Sequence, residues 1–125
     1  LEALERGYIL AVAPEGTRSG DGRLQRAHPG IALLALRSGA PLLPVAYHGA
    51  ENYRQHLARL RRAPFHVAVG RPFHVEPNGA KVNREVRQQM ADEIMTQVAA
   101  LLPPEYRGVY ADPPLKELRY VCYQS

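Results

Sequence analysis

Two short apolar runs, Tyr8-Ile9-Leu10-Ala11-Val12-Ala13 and Leu42-Leu43-Pro44-Val45-Ala46-Tyr47, bracket a third apolar stretch, "GIALLALRSGAP". The outer runs are too short for stable helices and carry β-branched and aromatic residues, so they predict buried strands. The middle stretch has Pro29 near its first helical position and Gly39 past its last, with Pro41 behind, which are the start and stop signals of a short buried helix. A strand, a helix and a strand within about forty residues predict a βαβ unit with a right-handed crossover. The expected fold class is therefore α/β, with a largely parallel sheet and flanking helices. Pro44 has no N–H for a ladder and should sit at an edge, a bulge or a strand end.

The remaining segments fit this frame. Residues 50–63 read as a loop running into a short basic helix, and 65–73 alternate Phe65, Val67 and Val69 against His66, Ala68 and Gly70, as a half-buried strand stopped by Gly70 and Pro72. After the turn at 76–79, residues 82–102 place Val82, Val86, Met90, Ile94, Val98 and Leu101 on one helical face. Arg84, Arg87, Gln88, Asp92 and Gln97 fall largely elsewhere, and Asn83 is the expected cap. Residues 1–102 are expected to form one domain and 103–125 a C-terminal tail, with no element assigned to the tail.

Composition narrows the functional classes. At 125 residues with 46% apolar content the chain can bury a core, and no apolar run approaches the ~20 residues that cross a bilayer. Net charge is +4, and only Lys81 and Lys116 are lysines among the 16 basic residues. Arginine favours planar, bidentate contacts with phosphate, although an arginine-rich codon usage gives the same bias. The single Cys122 rules out an internal disulfide and fits a reducing, cytoplasmic compartment. The chain opens on Leu1 within an amphipathic stretch, so the natural N-terminus is expected to lie upstream.

Chemistry concentrates in the loop 14–29, which would leave the first strand at the edge where α/β sheets bind ligands. Gly16 lets the backbone approach a ligand or turn sharply, while Thr17 and Arg18 supply hydroxyl, amide and guanidinium donors suited to a phosphate. A charge-assisted arginine–phosphate bond contributes roughly 1.5–3 kcal/mol, about tenfold or more in affinity. Glu15 would orient Arg18 or a backbone turn. The same residues also fit a solvated turn with a local Glu–Arg pair, and the glycine spacing does not form a Walker loop.

The stretch "APEGTRSGDGRLQRAHPGIALLALRSGAPLLPVAYHG" resembles the lysophosphatidate acyltransferase family of glycerolipid acyltransferases. Glu15-Gly16-Thr17-Arg18-Ser19 is similar to the family's Phe-Pro-Glu-Gly-Thr-Arg-Ser motif, and "GAPLLPVAY" to its later Val-Pro-Val motif, in the same order and at a matching separation. The resemblance is strong over 7–49 and extends to about 102. It implies a glycerol-phosphate acyltransferase-like fold, incomplete at its N-terminal side. It further implies acyl transfer from acyl-CoA or acyl carrier protein to a hydroxyl of a lysophosphatidate or glycerol phosphate, in phospholipid synthesis, with no cofactor. Glu15, Gly16, Thr17 and Arg18 would form the phosphate site, with Ser19, His28, Pro44 and Val45 standing behind it.

Three departures qualify what the resemblance implies. Ala13 stands where the family has Phe, and His28 where Lys is common. Nor is the family's catalytic His-x-x-x-x-Asp present: five residues beyond His28, His48, His56, His66 and His74 come Leu33, Tyr53, Arg61, Arg71 and Gly79. No catalytic residue is therefore assigned to this chain, which alone is expected to turn over little substrate. The histidines and Cys122 show no metal spacing, so no metal is expected. Arg54, Arg59, Arg61 and Arg62 could meet anionic headgroups at the inner face of a membrane, or form a solvated helix face. Two other classes remain open, a non-catalytic remnant that binds phospholipid or a partner, and a basic nucleic-acid-binding module, which the scattered tyrosines disfavour. An acyltransferase sheet lacking its N-terminal strands should also tend to self-associate.

Overall fold

In the computed structural model, residues 2–13, 26–48, 66–110 and 118–123 are described. The elements in chain order are α1 (Glu2–Glu5), α2 (Gly30–Ser38), β1 (Val45–His48), β2 (His66–Val69), β3 (Phe73–Val75), α3 (Arg84–Ala99), two 3-10 turns (Pro104–Tyr106 and Gly108–Tyr110) and β4 (Val121–Tyr123). Of the segments expected from sequence, residues 14–25 of the loop 14–29, the basic helix over 50–63 and Phe65 lie outside the described residues.

Both long-signal helices form where their end residues direct. Gly39 closes α2 in the left-handed region at φ 62°, its N–H donating to the Ala35 carbonyl. Asn83 caps α3 through Oδ1, which accepts the Val86 N–H at 2.9 Å. At the other end the Arg107 Nε–H donates to the carbonyls of Ala99 (3.0 Å) and Leu102 (3.1 Å), placing a cation on the negative end of the helix. The buried side of α3 is broader than the expected stripe: Met90, Ala91, Ile94, Met95 and Ala99 are all buried, whereas Val82 is exposed.

The strands correct the sequence expectation. Every strand pair among the described residues is antiparallel, so these residues do not form the largely parallel sheet that the βαβ pattern predicts. Residues 8–13 have no strand conformation and their apolar side chains are exposed, Ile9 at 97%. A single extended segment gains nothing from strand geometry without a ladder partner, and β1 pairs instead with β2, in the register Val45↔Val69 and Tyr47↔Val67. The faces of this pair are also exchanged relative to the expected half-buried strand. Val67 and Val69 are exposed while Ala46 is buried, because a small residue lets α3 approach the sheet.

The segment 65–73 divides at Gly70–Pro72 into β2 and β3, where proline removes a donor. The Gly70 N–H donates to the Pro44 carbonyl at 2.9 Å, and Leu42 and Phe73 exchange two bonds of 2.7 and 3.0 Å, so the pairing resumes beyond the break. A Cβ on Gly70 would stand 2.8 Å from Pro44 Cγ, which is why glycine occupies this crossing. Pro44 lies just before β1, at a strand end as expected.

The C-terminal segment, unassigned from sequence, completes the core. β4 pairs with β3 (Phe73↔Tyr123, Val75↔Val121), and Tyr120 and Val121 pack with Ala32, Ala35, Phe73, Met90 and Ile94. A second cluster on the other side of α3 gathers Ala27, Ala91, Met95, Ala99 and Tyr110. What holds β4 is Glu93, a carboxylate only 1% exposed. Its Oε1 accepts three successive backbone N–H groups, from Arg119 (2.8 Å), Tyr120 (3.0 Å) and Val121 (3.3 Å). Gln89 accepts the Tyr120 hydroxyl and Gln97 that of Tyr123, so one i, i+4, i+8 row of α3 catches the whole segment. Arg71 stacks over the Tyr123 ring at 4.7 Å.

Bonds to a charged acceptor are stronger than neutral ones, so Glu93→Gln is expected to lower unfolding free energy by about 1–2 kcal/mol, and Glu93→Ala by roughly 3 kcal/mol through unpaired amides. Urea denaturation measures both; stability unchanged in Glu93→Ala would contradict this account of β4.

Candidate functional site

Glu15, Gly16, Thr17, Arg18 and Ser19 lie outside the described residues. The structure does describe the segment that leads away from them, residues 26–30, and the elements packed on it. Of the residues expected to stand behind the motif, His28 and Val45 are exposed and Pro44 is buried. The His28 carbonyl accepts the Ile31 N–H at 3.4 Å and that of Pro29 accepts the Ala32 N–H at 3.1 Å, so this segment runs directly into the first turn of α2.

Ala27 is the fixed point of this segment. It is 3% exposed and belongs to no helix or strand, so neither its N–H nor its carbonyl has a regular backbone partner. Side chains supply both. The N–H donates to the Tyr110 hydroxyl oxygen at 3.0 Å, and the carbonyl accepts from Gln88 Nε2 at 3.1 Å. The Tyr110 hydroxyl in turn donates to Asp92 Oδ1 at 2.9 Å, which also accepts from Gln88 Nε2 at 3.1 Å. Arg26 Nη2 stands 3.7 Å from Asp92 Oδ2, a weak outer pair because the arginine is mostly exposed.

Each member has a local reason for its place. Gln88 and Asp92 are one helical turn apart on α3, on the face where Ala91 lets the chain at Ala27 come close. Tyr110 ends the second 3-10 turn, with its ring in the cluster that holds Ala27 and Met95. Sequence reasoning missed all three: Gln88 and Asp92 read as polar residues off the apolar face, and Tyr110 fell in the unassigned tail. The available signal was the adjacency of a polar i, i+4 pair to the apolar face.

Burial pushes the Tyr110 phenol up to about 12, and the hydrogen bond to the Asp92 carboxylate pushes the same way, against the Ala27 N–H and Arg26, which favour the anion. The neutral phenol is the form the network requires, because only it can donate to Asp92. Since the folded value lies above the ordinary 10.0, the stability Tyr110 contributes is complete below pH 10 and is lost as pH rises toward about 12. Thermal melts across pH 9–12 are expected to show a steeper loss in the wild-type chain than in Tyr110→Phe. Equal slopes would contradict the network.

Among the described residues, no group of three His, Cys, Asp or Glu side chains could hold a metal ion, and no helix is long and apolar enough to cross a membrane. No solved structure matches the chain. The model of the acyltransferase family matches residues 1–48, which include both motifs and α2. A 1-acyl-sn-glycerol-3-phosphate acyltransferase of Pseudomonas aeruginosa is 25% identical over 112 residues, covering 90% of this chain and 44% of that protein. Enzymes of the same name from Limnanthes alba and Limnanthes douglasii are 37% and 36% identical over 73 residues, covering 58% of this chain and 26% of each. The chain thus spans less than half the length of these curated relatives. With the two linked motifs in order inside the matched segment, these comparisons support a likeness of the chain to the lysophosphatidate acyltransferase family.

Proposed function

We propose that this chain is the acceptor-phosphate part of an enzyme that moves an acyl group from acyl-CoA or acyl carrier protein to a hydroxyl of a lysophosphatidate or glycerol phosphate. The observation that carries the proposal is the Glu15-Gly16-Thr17-Arg18 motif followed by Pro44-Val45, both within the matched residues 1–48, in a chain whose relatives bear the name of that activity.

In this proposal Arg18 makes a two-pronged contact with the phosphate, Thr17 adds hydroxyl and amide donors, and Gly16 lets the backbone approach without a side chain intervening. Glu15 holds the guanidinium in one orientation, and the neutral donors keep the pair from cancelling the site's attraction for an anion. With the phosphate fixed, the acceptor hydroxyl is presented to the thioester carbonyl. Its oxygen forms the new ester bond, the C–S bond breaks, the thiol departs, and a base takes the hydroxyl proton. None of the five histidines has Asp at the spacing of the family's base, so no catalytic residue of this chain is proposed. A lysophosphatidate acceptor resides in a bilayer, so the proposal includes peripheral contact with the inner face of a membrane.

Calorimetric titration of the chain with glycerol 3-phosphate and with a short-chain lysophosphatidate tests this reading beside Arg18→Ala. Binding weakened about tenfold or more in the variant is expected; equal binding by the two proteins, or none by the folded wild-type chain, would overturn it.

A further inference from the structure

We propose that the cleft between the turn at 77–80 and Arg119–Tyr120 binds a small carboxylate with an apolar end, held by the Arg119 guanidinium. None of the residues assigned to the acceptor phosphate takes part.

The cleft lies between the turn that leads into α3 and the residues that lead into β4. Pro77, Asn78, Gly79, Ala80, Arg119 and Tyr120 line a volume of about 450 Å³, the size of a small-molecule site. Its two walls are tied to each other. The Asn78 side-chain amide donates to the Arg119 carbonyl at 2.6 Å, and the Glu76 N–H donates to the Tyr120 carbonyl at 2.9 Å. The turn itself closes through the Ala80 N–H, which donates to the Pro77 carbonyl at 3.0 Å, with Asn78 at φ 50° and Gly79 at φ 83°. Asn78 is the only non-glycine residue at positive φ among the described residues, and asparagine tolerates that region better than most side chains.

Arg119 spends its polar groups unevenly. Its N–H donates to Glu93 Oε1 at 2.8 Å and its carbonyl accepts from Asn78, so its main chain is committed on both sides. The guanidinium has no hydrogen bond or ion pair among the described residues, and the N–H groups of Asn78 and Gly79 are likewise unbonded there. These donors stand in a lining that holds no Asp or Glu. A planar fork on a fixed main chain suits a carboxylate, which accepts two parallel N–H bonds, and the fixed main chain lowers the ordering cost of binding.

Charge and polarity select the class of ligand. One cation lines the cleft, so a monoanion is neutralised there, whereas a phosphate dianion keeps a charge unpaired. Pro77, Ala80 and Tyr120 supply apolar surface for the rest of the ligand to cover.

NMR titration of the isotopically labelled chain with butyrate at constant ionic strength tests the site, beside Arg119→Ala, Arg119→Lys and Arg84→Ala. Arg119 serves the fold through its main chain, so its substitutions leave the bonds to Glu93 and Asn78 in place. We expect saturable shifts at the Asn78 and Gly79 amides and the Arg119 guanidinium. Binding should weaken about tenfold or more in Arg119→Ala, and severalfold in Arg119→Lys, which keeps the charge and loses the fork. Arg84→Ala, which removes an exposed charge at the start of α3, should bind as the wild type. Uncharged butyramide should give no shift at these residues, and inorganic phosphate should bind them more weakly than butyrate. Absence of saturable shifts at Asn78 and Gly79, undiminished butyrate binding in Arg119→Ala, or tighter binding of phosphate than of butyrate there would overturn the proposal. The Arg18 assignment is read at other residues and with another ligand, so the failure of either is seen separately.

Discussion

Glu93 is the interaction on which the described architecture turns. A carboxylate 1% exposed in the middle of α3 is tolerable only if it is fully engaged, and three consecutive amides of the C-terminal segment engage it. The consequence runs outward. With Arg119, Tyr120 and Val121 held on the helix, β4 is placed to pair with β3, and Tyr120 and Val121 close the core against α2. A hydrophobic residue at 93 could fill the same volume but would specify no register for the segment that crosses it.

The same helix serves both clusters through different rows of side chains. Gln89, Glu93 and Gln97 face β4, while Gln88 and Asp92 face Ala27 and Tyr110, with Met90, Ala91, Ile94 and Met95 buried between. Polar groups so close to a core usually cost stability; here each has a named partner outside α3. Small residues, Ala32 and Ala35 on α2 and Ala91 on α3, admit those segments to the helix. The fold thus links the segment at Ala27 to the C-terminal third through α3 and Tyr110.

The parts legible in the sequence were those with local signals. Pro29 and Gly39 bound α2, Asn83 caps α3, and Gly70 with Pro72 interrupts the strand after 66, each through backbone constraints a residue carries wherever it stands. The antiparallel pairing was not legible because strand conformation at 8–13 depends on a partner that periodicity cannot supply, and the described neighbour of β1 is β2. β4 escaped notice for the converse reason: three residues of ordinary composition become a strand through Glu93, 28 positions from Val121. Of the candidate site, the chemistry proposed for Glu15 to Arg18 rests on residue types and family resemblance, whereas the bonds that hold Ala27 are a product of tertiary contacts between residues that each look unremarkable alone.

The central claim is that the Glu15–Arg18 motif binds a phosphate. An NMR titration of the isotopically labelled chain with glycerol 3-phosphate tests it at the residues themselves. The account predicts shifts concentrated at the amides of Gly16 and Thr17 and the guanidinium of Arg18, diminishing through Ala27 and His28, with Arg54–Arg62 little changed. Shifts confined to that arginine-rich stretch, or spread evenly over the basic surface, would contradict it.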